Sequence, residues 1–101
     1  MKDFVLSPEA EEDIWEIWRY LALEAGRRVA NRIETTIFEK IGFLATRPGV
    51  GHWRNDLTAE LVKFSAVYSY LIVYRPETKP LQIVAVLHGH RDVEQILRDR
   101  L

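Results

Sequence analysis

The sequence predicts an α+β domain: a short N-terminal strand, an antiparallel helical hairpin, a three-stranded antiparallel meander and a short C-terminal helix. Three observations carry this expectation. Apolar residues recur at helical spacing between Ala10 and Leu44. From Leu61 to His88 the pattern changes to short runs rich in Val, Ile, Leu and Tyr, separated by turn residues. The connections between like elements are short, which makes the elements they join antiparallel neighbours. With 101 residues, 48% hydrophobic and 29% charged, the chain suffices for one domain over residues 1–101 with one modest core.

Phe4-Val5-Leu6 is the first strand. Ser7 then caps a helix, with Pro8 at the first helical position, where a missing N–H costs nothing. Glu9, Glu11, Glu12 and Asp13 stand against the positive end of the helix dipole. Ala10, Ile14, Ile17, Trp18 and Leu21 form its apolar stripe, and Ala25-Gly26 stops it. A second helix is expected over Arg27–Thr46, with Val29, Ala30, Ile33, Ile37, Ile41 and Leu44 turned inward and Arg47-Pro48-Gly49 ending it. Residues 48–59 read as an ordered loop around Trp53. Strands follow at Leu61–Ser65, Tyr68–Arg75 and Leu81–His88, and Val93, Ile96, Leu97 and Leu101 mark the last helix. Trp15 and Trp18, three apart on one helix side, read as core residues.

If Arg75 and Leu81 close the last hairpin, Tyr68 sits opposite His88, and residues of equal parity share a face. The odd face (Ser69, Leu71, Val73, Leu81, Ile83, Ala85, Leu87) is aliphatic and is expected to lie under the helical hairpin. The even face (Tyr68, Tyr70, Ile72, Tyr74, Gln82, Val84, Val86, His88) is aromatic and apolar. It then needs a second cover, either the C-terminal helix or a partner chain. The same register brings His88, His90 and Arg91 near Lys63 and Tyr68 and sends Arg75 to the far end.

Composition excludes several classes. There is no cysteine, hence no disulfide framework, thiol nucleophile or cysteine-based metal site. Net charge is −1, split between −5 for residues 1–26 and +4 for residues 27–101. That imbalance is too weak for a nucleic-acid footprint, so sequence-specific nucleic-acid binding is not expected. No apolar run is long enough to span a membrane, and the N-terminus lacks signal-peptide features, which points to the cytoplasm. The densest polar cluster is His88-Gly89-His90-Arg91-Asp92, at the end of the last strand. His88 and His90 with Asp92 make a poor metal site, because no second His–carboxylate pair accompanies them. Asp92 is a natural N-cap for the helix that follows. No metal and no cofactor are expected.

The chain resembles the ParE branch of the RelE/ParE toxin superfamily over nearly its whole length. The resemblance rests on SPEAEEDIWEIWRYL from Ser7 and on Pro48, Gly51, Arg54, Asp56 and Leu57 in the loop. It rests above all on Tyr70-Leu71-Ile72-Val73-Tyr74-Arg75 and Val86-Leu87-His88-Gly89-His90-Arg91-Asp92. It implies the toxin of a type II toxin–antitoxin pair, neutralised by a cognate antitoxin and inhibiting DNA gyrase by binding rather than catalysis. The alternative it leaves open is a ribosome-dependent messenger-RNA endoribonuclease of the RelE type. Such a nuclease needs a base, an acid and cations for the phosphate, and His88, His90, Arg91, Lys63 and Tyr68 are the candidates. A binder needs only surfaces. His88, His90, Arg91, Trp53 and Lys63 are then candidates for the target, and Tyr68, Tyr70, Ile72, Tyr74, Val84 and Val86 for the antitoxin. Fold alone does not separate the two activities.

Overall fold

A computed structural model describes residues 3–101. The elements follow in the order β1 (Phe4–Leu6), α1 (Pro8–Ala25), α2 (Arg27–Thr46), a 3-10 turn at Pro48–Val50, β2 (Lys63–Val67), β3 (Tyr70–Arg75), β4 (Leu81–His88) and α3 (Val93–Arg100). Ser7 caps α1 through its hydroxyl, which accepts from the Ala10 N–H at 3.0 Å. Pro8 opens the helix as expected. A single residue, Gly26, connects the two long helices. Its φ of +95° is a conformation that side chains resist and glycine adopts freely, and it turns the chain straight back. Trp18 braces the hairpin by donating its indole N–H to Asn31 Oδ1 at 2.8 Å. Trp15 stacks on Trp18 at 5.8 Å and is 51% exposed. The two rings therefore brace the outside of the hairpin and do not enter the core.

The sheet is four-stranded, in the order β1-β4-β3-β2. The β2–β3–β4 meander is antiparallel, and β1 adds in parallel beside Leu81–Ile83 of β4. Strand β2 begins two residues later than the sequence suggested, so the turn into β3 is Tyr68-Ser69 and not Ala66-Val67. The expected register is also corrected. His88 faces Tyr70, not Tyr68, and a β-bulge at Val84 separates the pairs Val73–Ala85 and Tyr74–Ile83. Because strand side chains alternate, the extra residue exchanges the faces of β4 along its length.

The expected assignment of the two layers is overturned as well. The helical hairpin covers the even face of β3. Ile14, Ile37, Ile41 and Leu44 pack on Tyr70, Ile72 and Tyr74, joined by Leu81, Ile83 and Val86 of β4. The odd residues Val73, Ala85 and Leu87, with Val62 and Phe64, lie under Val93 and Leu97 of α3. Aromatic residues suit the hairpin side because a tyrosine can bury its ring and bring its hydroxyl out at the margin of the layer. Each layer of the sheet thus has a helical cover within the chain.

The bulge also frees backbone groups at the β4 edge beyond the end of β1. Asp13, 5% exposed, meets them. Its carboxylate accepts from the Val86 N–H at 3.0 Å and from Arg100 at 2.7 and 2.8 Å, and Arg100 also donates to the Val84 carbonyl at 3.3 Å. One ion pair between residues 87 positions apart thus ties α1, the bulge and α3 together. The Asp13 carboxylate raises the Arg100 pKa above its ordinary value, with smaller contributions from Glu9 and Glu16.

Candidate functional site

Strand β3 carries two tyrosines on one face, and they meet different surroundings. Tyr74 is fully buried. Its hydroxyl donates to the Pro48 carbonyl at 2.7 Å and accepts from the Gly51 N–H at 3.0 Å, which pins the loop after α2 over that end of the sheet. Gly51 fits because a β-carbon there would collide with the Tyr74 hydroxyl and sit 3.0 Å from the Phe64 carbonyl. Burial pushes the Tyr74 phenol pKa up, and the Gly51 N–H draws it part of the way back.

Tyr70, at the other end, has no loop above it. A groove of about 820 Å³ opens there between the second half of α1 and the ends of β3 and β4. Tyr70, Val86 and Ile17 contribute apolar lining, with Tyr20, Leu23 and Tyr68 also on its walls. Those last three are large and exposed, at 62%, 79% and 60%. Glu16, Arg19 and Arg91 supply charge, and Asp13 closes the inner end. Burial raises the Tyr70 phenol pKa, and the neighbouring Tyr20 adds to it.

The His88–Asp92 segment forms one rim of this groove. The His88 ring meets Tyr70 edge-on at 5.4 Å and lies 5.0 Å from the His90 ring. His88 Nδ1 accepts from the His90 N–H at 3.1 Å, so that nitrogen is already engaged. Asp92 caps α3 by accepting from the Gln95 N–H at 3.2 Å. Among the described residues no three His, Asp or Glu side chains gather as metal ligands.

The sequence-predicted residues therefore separate into distinct places. Tyr68, Tyr70, Val86, His88 and Arg91 share the groove, with His90 beside it. Lys63 does not join them, which corrects the expected cluster. It pairs with Tyr74, four residues along β3 from the partner of His88, about 13 Å away at strand spacing. There its ammonium lies 4.8 Å from the Trp53 ring and donates to the Gly49 carbonyl at 2.9 Å. Ile72 and Tyr74 are fully buried beneath the hairpin, so neither can meet a partner in the folded chain. Val84 belongs to the opposite layer, under α3. Arg75 lies at the far end, opposite Gln82. Sequence reasoning missed Tyr20, Leu23, Glu16 and Arg19. A signal existed for two of them: Tyr20 and Leu23 are large apolar residues of α1 that fall off its inward stripe.

The family model for the ParE toxin of type II toxin–antitoxin systems, parDE, matches residues 4–93. The chain belongs to the ParE toxin family. A Toxin ParE from Escherichia coli is 29% identical over 101 residues, covering 100% of this chain and 98% of that protein. A solved structure of a chromosomal ParDE toxin–antitoxin system from P. aeruginosa shares the fold, with a TM-score of 0.74 at 17% identity. That likeness covers 87% of this chain and 96% of the other. Membership in the ParE family makes this chain the toxin component of a type II system. No helix among its described residues is long and apolar enough to cross a membrane.

Proposed function

We propose that this ParE chain acts in the cytoplasm as a stoichiometric inhibitor of DNA gyrase and is neutralised when its cognate antitoxin fills the α1–β4 groove. The observation that carries the binding reading is the separation of the chemical groups. His88, His90, Arg91 and Tyr68 sit at one end of the sheet and Lys63 at the other. RNA cleavage by 2′-hydroxyl attack requires base, acid and phosphate-binding cations around one bond. Arg91 alone of the nominated cations stands near the histidines. Gyrase as the target follows from the resemblance to the ParE branch.

The groove supports the antitoxin part of the reading. It gathers exposed large apolar side chains, which a folded monomer seldom leaves together in water without a use. The Asp13–Arg100 pair occupies the adjacent β4 edge, so a partner strand would have to displace it. A helix or short apolar segment laid in the groove has no such obstacle. Of the nominated antitoxin contacts, Tyr68 remains at the surface and Tyr70 keeps only an edge, 8% exposed, whereas Val86 is buried beneath the hairpin with Ile72 and Tyr74. Trp53 and Lys63, at the opposite end, are target-contact candidates that an antitoxin in the groove leaves uncovered, whereas His88, His90 and Arg91 at the rim are not.

Two assays decide the function. Purified toxin should stop gyrase-driven supercoiling at near-equimolar ratio, and added antitoxin should restore it. If gyrase is unaffected at tenfold excess over enzyme while messenger RNA is cut in translating extracts, the inhibitor reading is wrong and the nuclease reading replaces it.

A further inference from the structure

We propose that Tyr68 is an anchor for the antitoxin, presented at the lip of the groove by a strained turn that the toxin keeps at a cost in stability. This rests on the groove being the antitoxin site.

The β2–β3 connection is two residues long, Tyr68-Ser69, between the paired Val67 and Tyr70. Tyr68 has a φ of +52°, the left-handed region, and is the one non-glycine residue of positive φ among the described residues. Two-residue hairpins place Gly, Asn or Asp at such positions, because a β-carbon crowds the neighbouring carbonyl. A bulky aromatic residue there is an outlier, and outliers of this kind gather at functional positions. Nothing inside the fold repays it. The side chain is 60% exposed and is absent from both core clusters.

The turn is nonetheless held in place. The Ser69 carbonyl accepts from the Gly89 N–H at 2.8 Å, docking the hairpin tip on the His88–Asp92 segment. The ring therefore borders the groove in a defined position, on the same cavity as Tyr20 and Leu23 of α1, His88 and Arg91. Tyrosine offers a large contact area with little conformational freedom to lose, and such residues dominate binding energy at interfaces. The occupant that fits is an antitoxin segment with aliphatic or aromatic side chains for the Tyr20–Leu23–Tyr68 lip. Charges of either sign at its flanks can meet Glu16 on one wall and Arg19 and Arg91 on the others. Single-stranded RNA is the poorer fit, because the lining is largely apolar and its Glu16 carboxylate would repel phosphate.

The test uses this toxin chain and its cognate antitoxin. Tyr68→Asn relaxes the turn and removes the ring. The isolated toxin should melt higher, by about 4 °C or more for a domain of this size. Antitoxin affinity, by titration calorimetry, should fall roughly tenfold or more. Tyr68→Phe, which keeps ring and turn, should hold the affinity within about threefold, since a rim hydroxyl adds little to a contact made by ring area. Leu23→Ser is the control for the groove: it should weaken antitoxin binding with no gain in melting temperature. A Tyr68→Asn variant that melts no higher than the parent overturns the strain argument. Unchanged affinity in Tyr68→Asn alongside weakened binding in Leu23→Ser overturns the anchor and leaves the groove standing. If neither substitution weakens binding, the groove is not the antitoxin site and the proposal falls with it.

Discussion

The two ends of the β3 aromatic face are built from the same material and finish differently. Tyr70 and Tyr74 are four residues apart on one strand, beneath one helical hairpin. At Tyr74 the loop after α2 closes down, and the hydroxyl holds both a carbonyl and an N–H of that loop. At Tyr70 the sheet edge is sealed only at its inner end, by Asp13 and Arg100, and the rest stays open to solvent as the groove. The closed end does structural work, and the open end is free to take a partner. Both rings are buried, and what separates them is the hydroxyl: that of Tyr74 is hydrogen-bonded to a covering loop, while Tyr70 lines the open groove.

That contrast can be broken most forcefully at Asp13. Asp13→Ala leaves the Arg100 guanidinium and the Val86 N–H without their partner at a nearly buried site. A loss of about 3–5 kcal/mol in urea unfolding is expected, since removing one member of a buried pair strands the other. A loss below about 1 kcal/mol would mean that water readily replaces the carboxylate. Gly51→Ala comes next. The added methyl meets the rigid Tyr74 hydroxyl and the Phe64 carbonyl, for an expected cost of about 1–3 kcal/mol by the same measurement. Its harm should be confined to stability, with antitoxin binding retained.

The tyrosines themselves give the sharpest comparison. Tyr74→Phe leaves the Pro48 carbonyl and the Gly51 N–H unpaired and should cost about 1–3 kcal/mol. Tyr70→Phe removes a hydroxyl with no hydrogen-bond partner among the described residues and should stay within about 0.5 kcal/mol of the parent. Equal costs would show that the two ends are not distinct. The smallest effect is in alkali. Burial raises both phenol pKa values above the ordinary value near 10, so folding favours the protonated form. Their contribution is complete below about pH 10 and is lost as pH rises through the raised values, because the unfolded chain then releases its protons first. Unfolding free energy should therefore fall above about pH 10, and fall less steeply in a Tyr70→Phe, Tyr74→Phe double variant.

Much of the fold was legible from local rules. Ser7-Pro8, Gly26 and Asp92 mark helix boundaries through capping chemistry that acts within a few residues, and the inward stripes of α1 and α2 follow from helical periodicity. The His88–Asp92 cluster and its neighbour Tyr68 were also in view, although Lys63 was expected beside them and stands apart. The bulge at Val84 was not, because Leu81–His88 reads as an uninterrupted strand and an extra residue leaves no mark on its composition. That unseen residue placed Leu81 and Ile83 in one layer with Val86. Separately, the hairpin covers the even face of β3, which takes Ile72 and Tyr74 into the core instead of to a partner.

What the sequence determined by itself was the order and type of the elements and the family they make, since caps, periodicity and turn residues act over a few positions. Tertiary structure decided which face each layer covers, where the groove opens and that Lys63 stands apart from the histidines. It also decided that Asp13 meets Arg100 across 87 positions. Those outcomes depend on register and on contacts between distant segments, and a shift of one residue in pairing moves every side chain beyond it to the other face.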